Sequence, residues 1–133
     1  MAFAINMAAA ARRHLEAADS LASGRRRDVA GYLYGIAAEC AVKAMMIEAG
    51  MRPLSESRSR EDPFFAHFPG LRSILRDRLK GRIGTPLARF IQDDNFLNNW
   101  ATRMRYSDGK DIDARWISAW ASQAKDAVGS IGT

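Results

Sequence analysis

The chain has 133 residues and a mass of 14.7 kDa, which is the size of one compact domain. Hydrophobic residues make up 47% and charged residues 26%, a composition that excludes an intrinsically disordered chain. The formal net charge is +5, and 16 of the 20 basic side chains are arginine, which favours binding of phosphate or carboxylate groups. The single cysteine excludes an internal disulfide and a thiolate-rich zinc site, and it is typical of a cytoplasmic protein.

Hydrophobic periodicity predicts an all-α chain, because apolar residues recur every three or four positions and β-branched residues are sparse. The first predicted helix runs from about Phe3 to Ser23, with Phe3 on its apolar face, and it ends at Gly24. No apolar run approaches the roughly 20 residues needed to cross a bilayer, so no membrane contact is expected.

The second predicted helix runs from Arg27 or Asp28 to Ala49 and is closed by Gly50. It is apolar on two sides, which is typical of the central helix of a bundle or of an oligomer interface. The two stripes consist of Val29, Leu33, Ile36, Cys40, Ala44 and Ile47, and of Tyr34, Ala38, Ala41 and Met45. Gly31, Gly35 and Ala38 are spaced so that a partner helix could approach closely.

Residues 51 to 66 are predicted to form a long, mobile connection within the single domain 1–133, because they contain two prolines and a polar run. A third helix is expected over about 69–80 and a short fourth one from Thr85-Pro86 to about Asp93. The last helix begins after Asp111 or Asp113 and ends at about Val128. Its predicted core-facing residues are Ile112, Trp116, Ala119, Trp120 and Val128.

The second helix carries the series Ala37-Ala38-Glu39-Cys40-Ala41-Val42-Lys43-Ala44, and Arg13-His14-Leu15-Glu16-Ala17-Ala18 precedes it in the first helix. The series His67-Phe68-Pro69-Gly70-Leu71 begins the third helix, and residues 100–106 precede the last one. Together these segments resemble HEPN domains (higher eukaryote and prokaryote nucleotide-binding), in particular their prokaryotic branch. The resemblance covers most of the chain, and its specificity rests mainly on residues 12–47.

The resemblance implies an up-and-down bundle of four to five helices that forms a homodimer. It implies an accessory role in nucleotide or RNA binding, with a minimal nucleotidyltransferase as partner protein in a toxin–antitoxin or defence system. Other relatives are metal-independent ribonucleases that carry an arginine and a histidine separated by four to six residues. In such a pair the histidine transfers a proton and the arginine stabilises the developing phosphorane charge. No cofactor and no metal are expected for either role.

The catalytic spacing of the ribonuclease branch occurs at only one place in the chain. No histidine follows Arg103 and Arg105, so the usual late position is empty. Arg60 and His67 have six residues between them, but they lie in the mid-chain connection. They are either a catalytic pair or, alternatively, a solvated arginine and a structural histidine at the start of the third helix.

Several basic and aromatic residues are candidates for binding phosphate and base. The phosphate-binding candidates are Arg12, Arg13, Arg25, Arg26, Arg27, Arg103 and Arg105, and Tyr106 is the adjacent aromatic candidate. Glu39 and Lys43, four residues apart, are predicted to form a structural ion pair that could also orient a ligand if the helix is central. A helical dimer with a purely protein-binding role is a third alternative, for which no salt-dependent RNA affinity is expected.

Overall fold

A computed structural model describes residues 3–79 and 86–133. Its helices are α1 (Met7–Ala22), α2 (Arg27–Glu48), α3 (Gly70–Arg78), α4 (Pro86–Gln92) and α5 (Ala114–Gly129). Short 3-10 segments occupy Glu56–Glu61, Pro63–Phe65 and Thr102–Tyr106. These two ranges contain no strand, and the predicted all-α helical bundle is confirmed. None of the helices described there is both long and apolar enough to cross a membrane.

Helix α2 is the centre of the bundle, because it packs against α1 on one side and α5 on another. Thirteen of its 22 residues are buried, among them Tyr34, Ala38, Ala41 and Met45, which form one predicted stripe. The other stripe is less covered, since Val29 and Ile47 at its two ends are exposed. Both glycines of the helix meet bulky neighbours: Gly31 lies against α5, whereas Gly35 lies against Trp100, which is not in a helix.

Tyr34 connects α2 to α1. Its hydroxyl donates a hydrogen bond of 2.6 Å to the Asp19 carboxylate. Burial, followed by the hydrogen bond and negative charge of Asp19, raises the pKa of Tyr34 to about 12. The phenol therefore remains a neutral donor at physiological pH, and the contact between the two helices is retained.

Helix α1 begins four residues later than the sequence predicts. The Asn6 side chain accepts a hydrogen bond of 3.0 Å from the Ala9 amide, and the backbone of Asn6 is extended. Asparagine is among the best helix N-caps because its side chain satisfies an amide of the first turn. The prediction that Phe3 lies on the apolar face of this helix is therefore wrong, and Phe3 and Ile5 are exposed.

The connection over residues 51–66 is folded around Asp62 and reaches the core through Phe64. This buried carboxylate accepts hydrogen bonds from the Leu54 amide at 2.7 Å and the Phe64 amide at 3.0 Å. The Phe64 side chain is buried in the core. Part of the segment is thus held by the fold, while its mobility stays a prediction.

Helix α3 buries Leu71 and Leu75, and α4 begins at Pro86, where the sequence places the first helical residue. The predicted end of α3 at Lys80, the glycines after it and the Thr85 cap lie outside the described residues. Helix α5 begins after Asp113, whose carboxylate accepts a hydrogen bond of 2.8 Å from the Arg115 amide.

The core-facing side of α5 matches the prediction except at Ala119. Trp120 is buried, and Ile112, Trp116 and Val128 are partly buried against the core, but Ala119 is exposed. The buried residues of the helix are Ile117, Trp120, Ala124 and Ala127. The sequence interpretation of Ala119 was wrong because the helix contains alanines on several sides, and only packing against α2 selects which of them face inward.

Candidate functional site

A cavity of about 340 Å³ opens at the N-terminal end of α2, where the segment after Trp100 faces the helix. Its lining combines two arginines, one aspartate that pairs with one of them, one tyrosine and several small or apolar residues. The lining residues are Arg26, Asp28, Val29, Tyr32, Met104, Arg105, Ser107, Gly109 and Ile112. Two of the arginines that the sequence marks as phosphate-binding candidates, Arg26 and Arg105, are therefore brought together although 79 positions separate them.

The Arg105 guanidinium lies between two tyrosines. Its Nη1 donates a hydrogen bond of 3.4 Å to the Tyr32 hydroxyl, and its Cζ lies 5.0 Å from the centre of the Tyr106 ring. No carboxylate in the described ranges lies within ion-pair distance of Arg105, whereas Arg26 is paired with Asp28. The charge of Arg105 is therefore available to an anion. The Tyr106 side chain, 78% exposed, offers an adjacent surface on which a base could stack.

The turn at Gly109 positions one side of the cavity against the start of α2. Gly109 has a φ of +85°, which only glycine adopts without strain, and a Cβ atom there would lie 2.1 Å from Asp28 Oδ2. The turn consequently packs directly on the start of α2, and it positions the Thr102–Tyr106 segment opposite Tyr32.

Tyr32 is held by Trp100. The two rings stack with their centres 5.9 Å apart and an interplanar angle of 17°. The Trp100 indole Nε1 donates a hydrogen bond of 3.2 Å to the Tyr32 carbonyl oxygen, and Gly35 leaves the space that the indole occupies. The aromatic wall of the cavity is therefore fixed by a buried tryptophan rather than left free to rotate.

A second polar cluster lies further along α2 and consists of Glu39, Lys43 and His67. Glu39 and Lys43 are only 3% and 5% exposed, and Lys43 Nζ lies 3.3 Å from Glu39 Oε2. The same oxygen lies 2.7 Å from His67 Nδ1, and Oε1 accepts a hydrogen bond of 2.9 Å from the Phe68 amide. The ion pair predicted from the helical spacing is thus present, and it is buried rather than solvated.

The contact with Glu39 orients the imidazole of His67. A carboxylate can only accept, so Nδ1 carries the hydrogen, and Nε2 of the neutral ring is left as the proton acceptor. The His67 side chain is 47% exposed, so the ring remains accessible to solvent. A base that is oriented by a buried carboxylate and partly open to solvent is an arrangement that general acid–base chemistry can use.

The remaining candidates from the sequence do not join these two groups. Five of the predicted phosphate-binding arginines are exposed and lie outside the cavity lining: Arg12, Arg13, Arg25, Arg27 and Arg103. Arg60 is exposed in the Glu56–Glu61 segment, and the His67 ring is bonded to Glu39 instead. The other histidine, His14, is half-buried on α1, where burial and the charge of Arg13 lower its pKa.

The contact between Glu39 and His67 and the support of Tyr32 by Trp100 are the features that the sequence interpretation missed. No local pattern signals either of them, because the partners are 28 and 68 residues apart.

Within residues 3–79 and 86–133, no group of three or more His, Cys, Asp or Glu side chains is arranged to hold a metal ion. Comparisons with family models, curated proteins and solved structures found no match to this chain.

Proposed function

We propose that this protein is a HEPN-like helical bundle that binds the phosphate groups of RNA or of a nucleotide at the cavity beside α2. The observation that carries the proposal is the Arg105 guanidinium, which lies against two tyrosines with no carboxylate partner among the described residues. Arginine binds phosphate with two parallel hydrogen bonds, and aromatic rings stack on bases without regard to their sequence.

Two parts of this proposal rest on the resemblance to HEPN domains alone. The protein acts as a homodimer, and its partner protein is a minimal nucleotidyltransferase in a toxin–antitoxin or defence system. In this role the transfer chemistry belongs to the partner, and the helical bundle supplies the contact with nucleic acid or nucleotide.

Replacing Arg105 with glutamine is expected to weaken binding of a fluorescently labelled, mixed-sequence single-stranded RNA by about tenfold, because a hydrogen bond to a charged group contributes about 1.5 kcal/mol or more. The slope of log affinity against log salt should fall by about 0.7, the contribution of one phosphate contact on a single strand. Fluorescence anisotropy at several salt concentrations measures both quantities.

Arg89→Gln is the matched control, because it removes the same charge far from the cavity. Arg89 pairs with Asp126, 13 residues beyond the Asp113 cap of α5, which is about 20 Å along the helix axis. The RNA affinity of the Arg89→Gln variant should equal that of the wild type. An affinity that does not change with salt, or an Arg105→Gln variant that binds as well as the control, would support the purely protein-binding role instead.

Metal-independent cleavage of RNA is a second candidate function, and the Glu39–His67 contact favours it. In this reaction His67 Nε2 accepts the proton of a ribose 2′-hydroxyl, and the 2′-oxygen attacks the adjacent phosphorus. The bond from phosphorus to the 5′-oxygen breaks, the leaving oxygen takes up a proton from water, and a 2′,3′-cyclic phosphate remains while His67 releases its own proton to water. Glu39 holds the imidazole in the tautomer that can accept the first proton.

In the presence of a chelator, His67→Gln is expected to reduce any RNA cleavage by about a hundredfold or more, which is the usual contribution of a positioned base. Arg60→Ala tests the pair predicted from the spacing; because Arg60 is exposed and the His67 ring is bonded to Glu39, the cleavage rate of this variant should stay close to that of the wild type. His14→Gln replaces the other histidine and should leave the rate unchanged. Cleavage products are resolved on a denaturing gel, and a wild-type protein that does not cleave, or a His67→Gln variant at full rate, contradicts the second candidate.

A further inference from the structure

Phe65 and His67 lie side by side on the protein surface, two residues apart in one short segment. Phe65 is 60% exposed, and the His67 side chain is 47% exposed. The residues that alternate with them, Phe64, Ala66 and Phe68, pack on the core. Ala66 has an extended backbone, in which side chains two residues apart lie on the same side of the chain. Phe65 and His67 are therefore neighbours on one exposed surface.

The backbone beneath the two side chains is held by hydrogen bonds. The Phe65 amide donates a hydrogen bond of 3.0 Å to the Asp62 carbonyl oxygen. At the other end of the segment, the Glu39 carboxylate accepts from the Phe68 amide and contacts the His67 ring. None of these bonds uses the Phe65 side chain. The segment therefore presents an exposed phenylalanine whose removal leaves the position of His67 unchanged.

An exposed aromatic ring beside an oriented imidazole matches the two parts of one nucleotide. A nucleobase stacks on an aromatic face whatever its sequence, and its ribose then lies at the edge of the stack. The imidazole Nε2, left free by the contact of Nδ1 with Glu39, can form a hydrogen bond with a ribose hydroxyl. The net charge of +5 favours a polyanion over an uncharged apolar partner at this surface.

We propose that Phe65 is a base-stacking residue of a binding site for single-stranded RNA at His67. One base stacks on the Phe65 ring, and the ribose of the same nucleotide faces His67. Neither residue lines the cavity beside α2, so this is an additional contact with RNA. The assignment rests on the proposed RNA binding and deepens the second candidate function, because it names the residue that positions the substrate for His67.

The affinity of the full chain is measured by fluorescence anisotropy with a labelled, mixed-sequence single-stranded RNA whose cleavage is blocked by 2′-O-methyl groups. Phe65→Ala is expected to bind about tenfold more weakly than the wild type, the effect of one lost base stack. Phe65→Trp keeps an aromatic face and should bind at least as tightly as the wild type. Phe3→Ala is the matched control, because it removes the same ring from a position that is 89% exposed, before the start of α1.

Cleavage of the unmodified RNA gives a second readout. Phe65→Ala should raise KM by about tenfold and leave kcat within about twofold, because the His67 ring and its contact with Glu39 are retained. His67→Gln should lower kcat instead. Phe65→Ala and the wild type should have equal midpoints of urea denaturation, since the ring that is removed is exposed.

A Phe65→Ala variant that binds the blocked RNA as tightly as the wild type would overturn the proposed contact. So would a Phe65→Trp variant as weak as Phe65→Ala, because the contact would then not be with an aromatic face. In both cases a loss of affinity in Arg105→Gln leaves the proposed function standing. If the wild type binds RNA without cleaving it, the second candidate fails and the affinities alone decide the role of Phe65. A wild type that binds no RNA defeats the proposed function and the Phe65 contact together.

Discussion

Replacing Glu39 with leucine should lower the free energy of unfolding by about 3–5 kcal/mol, because it leaves a buried charge without its partner. Lys43, which is 5% exposed, would lose the carboxylate at 3.3 Å. The Phe68 amide and the His67 ring would lose their acceptor at the same time. Urea denaturation followed by circular dichroism measures the effect, which is a large part of the 5–15 kcal/mol that stabilises an ordinary domain.

The double variant Glu39→Leu with Lys43→Met should recover much of that loss. Replacing both members of a buried ion pair with apolar groups of similar volume is often neutral, whereas removing one member is strongly destabilising. The recovery should be incomplete, because the Phe68 amide remains without its acceptor, at a cost of about 1–3 kcal/mol. A double variant no more stable than the single one, or a single variant that loses less than about 1 kcal/mol, would contradict a buried, coupled pair.

The same double variant separates the structural role of Glu39 from its positioning role. If the carboxylate only neutralises Lys43, a folded double variant should retain the RNA affinity and any cleavage activity of the wild type. If Glu39 also orients the His67 ring, activity should fall although the protein is folded. Measuring stability and activity on one folded protein therefore separates the two roles of the Glu39 carboxylate more clearly than the single substitution can.

Local sequence signals predicted the helices that depend on local interactions. The long apolar periodicity of α2 and the glycine that follows it placed its ends within one residue of those observed, and Gly50 has the positive φ of a helix stop. Periodicity alone places the start of α1 too early, because apolar residues before Asn6 continue the pattern although the capping side chain of Asn6 begins the helix. Periodicity thus located the helices better than it located their first residues.

The candidate site depends on contacts that no local pattern encodes. The sequence identified Arg26, Arg105 and Tyr106 as residues able to bind phosphate or base, but it also selected five exposed arginines outside the cavity lining. The cavity residues differ from these five arginines because of the turn at Gly109, which packs on Asp28 and positions Arg105 beside Tyr32. In the same way His67 was paired with Arg60 by spacing, whereas the fold pairs it with Glu39.

Replacing Gly35 with alanine should lower the free energy of unfolding by about 3 kcal/mol, at the upper end of the usual cost of overpacking. A Cβ atom at this position would lie 1.9 Å from Trp100 Nε1, so the indole must move. The movement would break the hydrogen bond from Trp100 to the Tyr32 carbonyl oxygen, and Trp100 is one of the largest fully buried side chains. Urea denaturation again measures the change.

Two other glycines make this substitution part of a graded series. At Gly31 a Cβ atom would lie 3.0 Å from Ile117 and 3.2 Å from Trp120, so alanine should cost less there than at Gly35. At Gly129, the last residue of α5, nothing lies within 4 Å, and alanine should be neutral or stabilise by up to about 1 kcal/mol. A Gly35→Ala variant as stable as Gly129→Ala would show that Trp100 does not occupy the space beside α2.

The three glycine variants also test RNA binding, because Trp100 supports the aromatic wall of the cavity. Under conditions in which Gly35→Ala is still folded, displacement of the indole should move Tyr32 and weaken RNA binding, whereas Gly129→Ala should bind like the wild type. Gly31→Ala alters the packing of α2 on α5 without touching Trp100, so its stability should fall while its RNA affinity remains. A loss of affinity confined to the Gly35 variant would therefore trace RNA binding to the Tyr32–Trp100 stack rather than to general stability.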